Sequence, residues 1–315
     1  MKSIPSFIFL FALIPILFGT AVCGQQVDNT KPMYGEVPKN EEYKKLDQNF
    51  IQLSLKQFGT IDSAVNVQID LAWRYFYNNN LGTAMKRFNQ AWLLSPEFPD
   101  SYFGFAALMD MQSKSEEAAR FYQLAIAKDK TKSRSEICYQ RIADCKEQLK
   151  DYDGTIAAYS RITEINPANS FAFKKLGYFF MNAKSTEKAL KAYNKAIELD
   201  PTDAMTYSNR AHLYQITRDY SKAISDYSKA IQLEPTSINA LVNRGIIQME
   251  TKNFMSAKKD FETCVQLDDN SPELRRFLGL SKLKINDLNG ACKDFQAAKK
   301  LGDNQADQLI RENCK

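Results

Sequence analysis

The chain has 315 residues, room for two ordinary globular domains, and 44% of them are hydrophobic, enough for a sizeable core. Its formal charge of +5 is the balance of 42 basic and 37 acidic residues with no block of like charge, which excludes the basic stripe of a nucleic-acid binder. Only 12 Gly and 10 Pro stand among many Ala, Leu, Lys and aromatic residues, a composition suited to helices joined by short turns and therefore to an all-α chain.

In chain order, the first segment follows its own rules. Lys2 supplies a positive start, Phe7 to Phe18 form an apolar run interrupted by Pro15, and small residues follow at Gly19, Thr20, Ala21 and Gly24. The run is too short to span a bilayer comfortably and reads as a signal peptide over residues 1–24. Val22 and Gly24 suit a cut before Gln25, and Ala21 with Cys23 suit one a residue earlier. The alternative is an acylated Cys23, as in bacterial lipoproteins. Those signals place Leu three residues before the cysteine and Gly or Ala just before it, where this chain has Thr20 and Val22. The reading is therefore an exported chain, periplasmic or secreted, with an outer-membrane anchor on Cys23 as the alternative and its only route to a membrane. Residues 25–39 hold Pro32, Gly35 and Pro38 with few large apolar side chains, and read as a flexible linker. Residues 40–64 read as an N-terminal capping helix that turns Leu46, Phe50, Ile51, Leu53, Leu55 and Phe58 inward and stops at Gly59.

A fixed period governs the rest. A small residue recurs at Ala84, Ala118, Thr155, Ala189, Ala223, Ala257 and Ala291, in steps of 34 residues except for one of 37. Four residues after each stands an aromatic: Phe88, Tyr122, Tyr159, Tyr193, Tyr227, Phe261 and Phe295. Three further on lie Ala91, Ala125, Ile162, Ala196, Ala230, Cys264 and Ala298. Spacings of four and three keep these side chains on one helical face. A preceding helix repeats as well, with small residues at Ala72, Ala106, Ala143, Gly177, Ala211, Gly245 and Gly279 where two helices must approach closely. Opposite charges then face each other across two hairpins, Arg210 with Asp226 and Arg244 with Asp260, while the preceding unit has Leu176 and Ala192 there.

This pattern is similar to the tetratricopeptide repeat (TPR) family, most closely over Ser170 to Ser237, where FAFKKLGYFF and KALKAYNKAIELDP are followed by MTYSNRAHLY and KAISDYSKAIQLEP. The resemblance covers residues 65–305 as seven units, 65–98, 99–135, 136–169, 170–203, 204–237, 238–271 and 272–305. It implies a right-handed superhelical solenoid of tandem helix-turn-helix units. It also implies a concave groove lined by the first helix of each unit. The residues assigned to that groove are Trp73, Phe76, Tyr77, Phe103, Met111, Tyr178 and Met181, and the corresponding positions further on are mixed: His212, Gln215 and Ile216, then Val242, Ile246 and Met249, then Arg276, Leu280 and Lys284. Trp73, Phe76 and Tyr77 would anchor a partner's apolar side chain, unless the helix at 40–64 covers them. Some TPR proteins clamp a C-terminal carboxylate. Lys174 and Asn209 fit that pattern, but Tyr178 replaces an asparagine, and Asn239 and Asn243 replace the basic residues, so this use is disfavoured.

Gly302 ends the last unit, and residues 303–315 read as a closing helix with Leu309 and Ile310 inward. Cys292 and Cys314 flank that turn at similar distances, so a hairpin would bring them level. The closing sequence also resembles that of exported TPR proteins of the Bacteroidota, which carry this cysteine pair. A disulfide and two unpaired thiols are both open, and an oxidising compartment favours the bond. Cys138, Cys145 and Cys264 read as packing residues. His212 is the only histidine, which leaves no triad and no multi-histidine metal site, and there is no phosphate-cradling glycine loop. The chain reads as a non-enzymatic scaffold without cofactor or metal, binding protein or peptide and no nucleic acid.

Overall fold

The computed structural model describes residues 27–314; the leader at 1–24 and Cys23 lie outside the described residues. Every regular element among the described residues is a helix, and the fold is an all-α repeat solenoid. The chain divides into two compact units at Pro96/Glu97.

The first unit holds a 3-10 turn at Pro32–Gly35 followed by α1 (Glu41–Phe58), α2 (Ile61–Tyr77) and α3 (Leu81–Leu94). Asn40 and Thr60 start α1 and α2 by accepting from the backbone N–H of Tyr43 and Ser63, and Gly59, at φ +82°, ends α1. The first repeat's helix thus begins at Ile61, four residues before the position read from the period. Ala72, Ala84, Phe88 and Ala91 meet in the α2–α3 hairpin with no exposure. Two expectations need correction. Residues 28–35 are not a free linker: the Asn89 side-chain amide on α3 donates to the carbonyl oxygens of Asn29 (3.3 Å) and Lys31 (2.8 Å), and the buried Tyr34 ring lies 6.4 Å from Trp92. Lys39 sits 3.8 Å over the Tyr34 ring and pairs with Asp47, which ties this strap to α1. Nor does α1 turn its whole apolar set inward. It packs along one narrow stripe through Tyr43, Asp47, Phe50, Ile51, Ser54 and Phe58, which leaves Leu46, Leu53 and Leu55 exposed beside it.

The second unit runs α4 (Pro99–Met111), α5 (Ser115–Lys128), α6 (Ser135–Gln148), α7 (Tyr152–Ile165), α8 (Ser170–Asn182), α9 (Thr186–Leu199), α10 (Ala204–Ile216), α11 (Tyr220–Leu233), α12 (Ile238–Glu250), α13 (Phe254–Leu267), α14 (Pro272–Lys284), α15 (Leu288–Lys300) and α16 (Ala306–Asn313). Each helix packs on the next, so the apolar face that a single hairpin leaves open is covered by its successor. Inside each hairpin the turn is made by one left-handed residue, at Ser113, Lys150, Lys184, Arg218, Lys252 and Asn286, with φ between 56° and 63°. None of these is glycine, although the region disfavours a Cβ. The repeated aromatics are among the largest buried side chains, and three sit directly over glycine: a Cβ on Gly177 would come within 2.5 Å of the Tyr193 ring, on Gly245 within 2.7 Å of Phe261, and on Gly279 within 2.5 Å of Phe295.

Charge is built into the later hairpins. Arg210 donates to Asp226 through Nε (2.7 Å) and Nη2 (2.8 Å), and Arg244 to Asp260 likewise (2.8 and 2.6 Å). The third donor of each guanidinium reaches back to the preceding repeat, Arg210 to Asn194 and Arg244 to Ser228, so each Arg also ties neighbours together. In the last repeat Leu278 holds the arginine position, and the buried Asp294 is met instead by Lys282 (2.7 Å) and Arg275 (3.5 Å). At the C-terminus Cys292 and Cys314 are bonded, with their Cα atoms 5.7 Å apart, which holds α16 against α15.

Candidate functional site

Groove-facing positions are fixed by the first helix of each repeat. In the first unit, α2 gathers Trp73, Phe76 and Tyr77 into one aromatic cluster: Trp73 lies 5.3 Å from Phe76, 6.0 Å from Tyr77 and 5.1 Å from the buried Phe88. Trp73 and Phe76 are half-buried, and Tyr77 is 79% exposed, so α1 does not cover the outer end of the cluster.

The candidates of the second unit stand in separate surroundings. Phe103 packs edge-on to Tyr122 at 5.5 Å with the Arg134 guanidinium above it, and Met111 is exposed. Tyr178 is exposed and lies edge-on to Phe179, while Met181 is half-buried against the cluster of Ala189, Tyr193 and Leu213. No ring contact or hydrogen bond between the α4 pair and the α8 pair is found among the described residues.

A shallow hollow lies elsewhere. An open groove of about 470 Å³ runs between α12 and α14, floored by Ile238, Val242, Ile246, Leu274 and Phe277 and rimmed by Asn239, Asp268 and Glu273. Ile238, Val242 and Ile246 follow at intervals of four on one face of α12, and Phe277 is fixed by stacking on Phe261 at 5.4 Å. Val242 and Ile246 carry groove positions in the repeat pattern, but their side chains are smaller than the aromatics of α2, and size alone did not single them out.

Polar groups along the same face are largely engaged. Lys174 is paired to Asp203 at 2.8 Å and Lys175 to Glu147 at 3.2 Å. Burial alone would raise the Asp203 carboxyl, but hydrogen bonds from Lys174 and Thr206 outweigh it and hold the group below the usual carboxylate value. The Gln140 amide donates to the Tyr159 hydroxyl (3.1 Å), and the Tyr227 hydroxyl donates to Gln215 (3.2 Å). His212 is exposed. Burial pushes the thiols of Cys138 and Cys264 up to about 12 and that of Cys145 to about 11, so all three stay protonated and unreactive at neutral pH. Among the described residues no three His, Cys, Asp or Glu side chains gather as a metal site.

Set against known proteins, residues 138–169, 204–237 and 238–271 match models described as tetratricopeptide repeat, and residues 180–215 match one described as TPR repeat. The chain is a tetratricopeptide repeat protein. Among solved structures it resembles the C-terminal part of a TPR repeat-containing protein from Cytophaga hutchinsonii, with 16% identity and a TM-score of 0.65 over 78% of this chain and 99% of that one. It also resembles pilF of Pseudomonas aeruginosa, with 19% identity and a TM-score of 0.51 over 69% of this chain and 97% of that one. A MamA protein gives 23% identity and a TM-score of 0.50 over 53% and 92%. Likeness at these identities concerns the TPR fold alone. No curated protein matches the chain.

Proposed function

We propose that this TPR chain is a non-enzymatic scaffold that holds a protein or peptide segment against the first-helix face of its solenoid. The observation that carries this reading is the open groove between α12 and α14, where Ile238, Val242, Ile246, Leu274 and Phe277 present an apolar floor inside a polar rim. A concave apolar strip with a few polar groups at its edge suits an apolar side chain of a partner, with the rim fixing its approach. The family's general role as a platform for protein interactions supports it, and buried, protonated thiols with a lone exposed histidine offer no nucleophile–base pair.

The test is site-specific photo-crosslinking in the native host. A benzophenone side chain at Val242 is expected to capture a partner, whereas the same probe at the exposed Lys191 on a second helix captures none. Equal labelling at both positions, or capture by the Val242 probe that survives Ile246→Asp, removes the groove as the site.

The location we propose is the cell envelope, supported by the apolar run Phe7 to Phe18 and the small residues after it. Intact mass of the purified mature chain decides between soluble export and the alternative, a lipid-anchored component of an outer-membrane assembly. An unmodified N-terminus at Gln25 supports the former; acyl chains on Cys23 support the latter.

A further inference from the structure

The apolar floor between α12 and α14 is not something the repeat fold requires. One repeat earlier, between α10 and α12, the positions of Ile238, Val242, Ile246, Leu274 and Phe277 are held by Ala204, Ser208, His212, Ala240 and Asn243. The helices pair there all the same. Large apolar side chains at these positions are therefore a local choice, and they coincide with the hollow.

The rim carries a second signal. Its charged members are Asp268 and Glu273, and no Lys or Arg lines the groove among the described residues. An acid at the first position recurs in the repeat, at Glu234 and Asp200. Glu273 has no such counterpart, because Asn239, Met205 and Phe171 stand at its position in the three preceding units. Neither carboxylate is spent inside the chain. Asp268 accepts only from the backbone N–H of Asn270 (3.1 Å), and the Glu273 side chain is 65% exposed. Arg276 is held by Asp303 at 2.7 Å and meets Glu273 only at 3.7 Å. In a chain of net charge +5, this groove thus carries an acidic edge.

The two signals have a fixed spacing. Helices α12 and α14 are the first helices of successive hairpins and run parallel, so Asp268 and Glu273 lie at the end of the groove where Ile238 opens α12. From there Val242 and Ile246 follow one and two turns on, about 6 and 12 Å along the axis. An extended chain covers that distance in roughly two to four residues, at about 3.3 Å each.

We propose that the occupant of this groove is a basic peptide segment, with a large apolar side chain seated on Val242, Ile246 and Phe277. A lysine or arginine two to four residues away pairs with Asp268 and Glu273. This rests on the groove reading given above and names the class of segment it takes. Burial of the apolar side chain supplies affinity, and the exposed carboxylates supply selectivity between segments.

The experiment uses the purified chain and ten-residue peptides, acetylated and amidated, read by fluorescence anisotropy at low ionic strength. Each peptide has a central Leu, Ile or Phe and, three residues from it on either side, Lys, Gln or Glu. The Lys peptides are expected to bind roughly threefold to tenfold more tightly than their Gln counterparts, and the Glu peptides more weakly than both. Asp268→Asn with Glu273→Gln changes exposed side chains, and the new Asn keeps an acceptor for Asn270. It is expected to remove the Lys advantage and leave the Gln peptides unchanged. Val242→Ser with Ile246→His copies the preceding repeat, so the fold is retained. At about pH 8 the histidine is neutral, and this variant is expected to lose all three classes of peptide. If Lys and Gln peptides bind alike while the Ser/His variant loses both, the groove reading stands and this inference fails. A Lys advantage that persists without the two carboxylates also overturns it. Binding unaltered in the Ser/His variant, or no binding by any peptide, overturns both readings.

Discussion

Two neighbouring repeats, α8–α9 and α10–α11, have the same backbone and opposite polar designs. In the later one Arg210 and Asp226 face each other across the hairpin, Ala211 fills the crossing, and the Tyr227 hydroxyl is satisfied by Gln215. In the earlier one Leu176 and Ala192 stand where the ion pair would be, Gly177 lies beneath the ring, and the Tyr193 hydroxyl has no internal partner. The difference teaches that the repeat fold does not depend on its polar groups. It tolerates an apolar or a charged clasp at one position, and a bonded or an open phenol at another. Polar chemistry is therefore available for tasks other than stability.

The sharpest way to break this comparison is to remove one half of the ion pair. Arg210→Ala leaves Asp226 buried and uncompensated, with an expected loss of about 3–5 kcal/mol in urea denaturation. The double change Arg210→Leu with Asp226→Ala copies the pair found in the earlier repeat and is expected to fall within about 1 kcal/mol of wild type. A double variant as unstable as the single one would mean that the guanidinium bond to Asn194, not the ion pair, is what the later repeat needs. Next in size is Gly177→Ala, which puts a methyl group into the Tyr193 ring and is expected to cost about 1–3 kcal/mol, partly offset by better helix propensity. The later repeat already accepts alanine at that position, so a neutral result would show that the ring slides freely.

Smaller and of opposite sign, Met181→Gln gives Tyr193 the partner that Tyr227 already has, and should raise stability by about 0.5–1.5 kcal/mol. No gain in the urea midpoint would show that an amide at position 181 does not reach the Tyr193 hydroxyl. The least effect is in acid. Asp203 has a depressed folded-state value, so its contribution is present above the unfolded value of about 3.9 and is lost as pH falls through the lower folded one. Asp203→Asn should flatten the acid limb of the stability profile in that window, and an unchanged limb would deny the Lys174 pair any part in it.

The hairpin register was legible in the sequence because a 34-residue period repeats small and aromatic side chains at helical spacing, and that register alone set Arg210 opposite Asp226 and Arg244 opposite Asp260. Asp294 was not legible in the same way: its register partner is Leu278, and its cations come from one turn on either side, a detour that long flexible side chains make and a period does not record. The strap at 28–35 escaped because the hydrogen bonds that Asn89 donates to it end on backbone carbonyls, which leave no sequence pattern, and its one buried ring, Tyr34, belongs to no periodic set. Of the groove positions, the aromatics of α2 drew attention by size, whereas the hollow formed between α12 and α14, where smaller side chains leave room.

By itself the sequence determined the repeat, the helix pairing and the level at which Cys292 and Cys314 meet, because all of these follow from spacing along helices of fixed pitch. Only the tertiary structure decided which polar groups found partners, which leucines of α1 stayed exposed and which phenol was left buried without a partner. Those outcomes depend on distances of a few tenths of an ångström between side chains of different helices, and spacing along one helix carries no information about them.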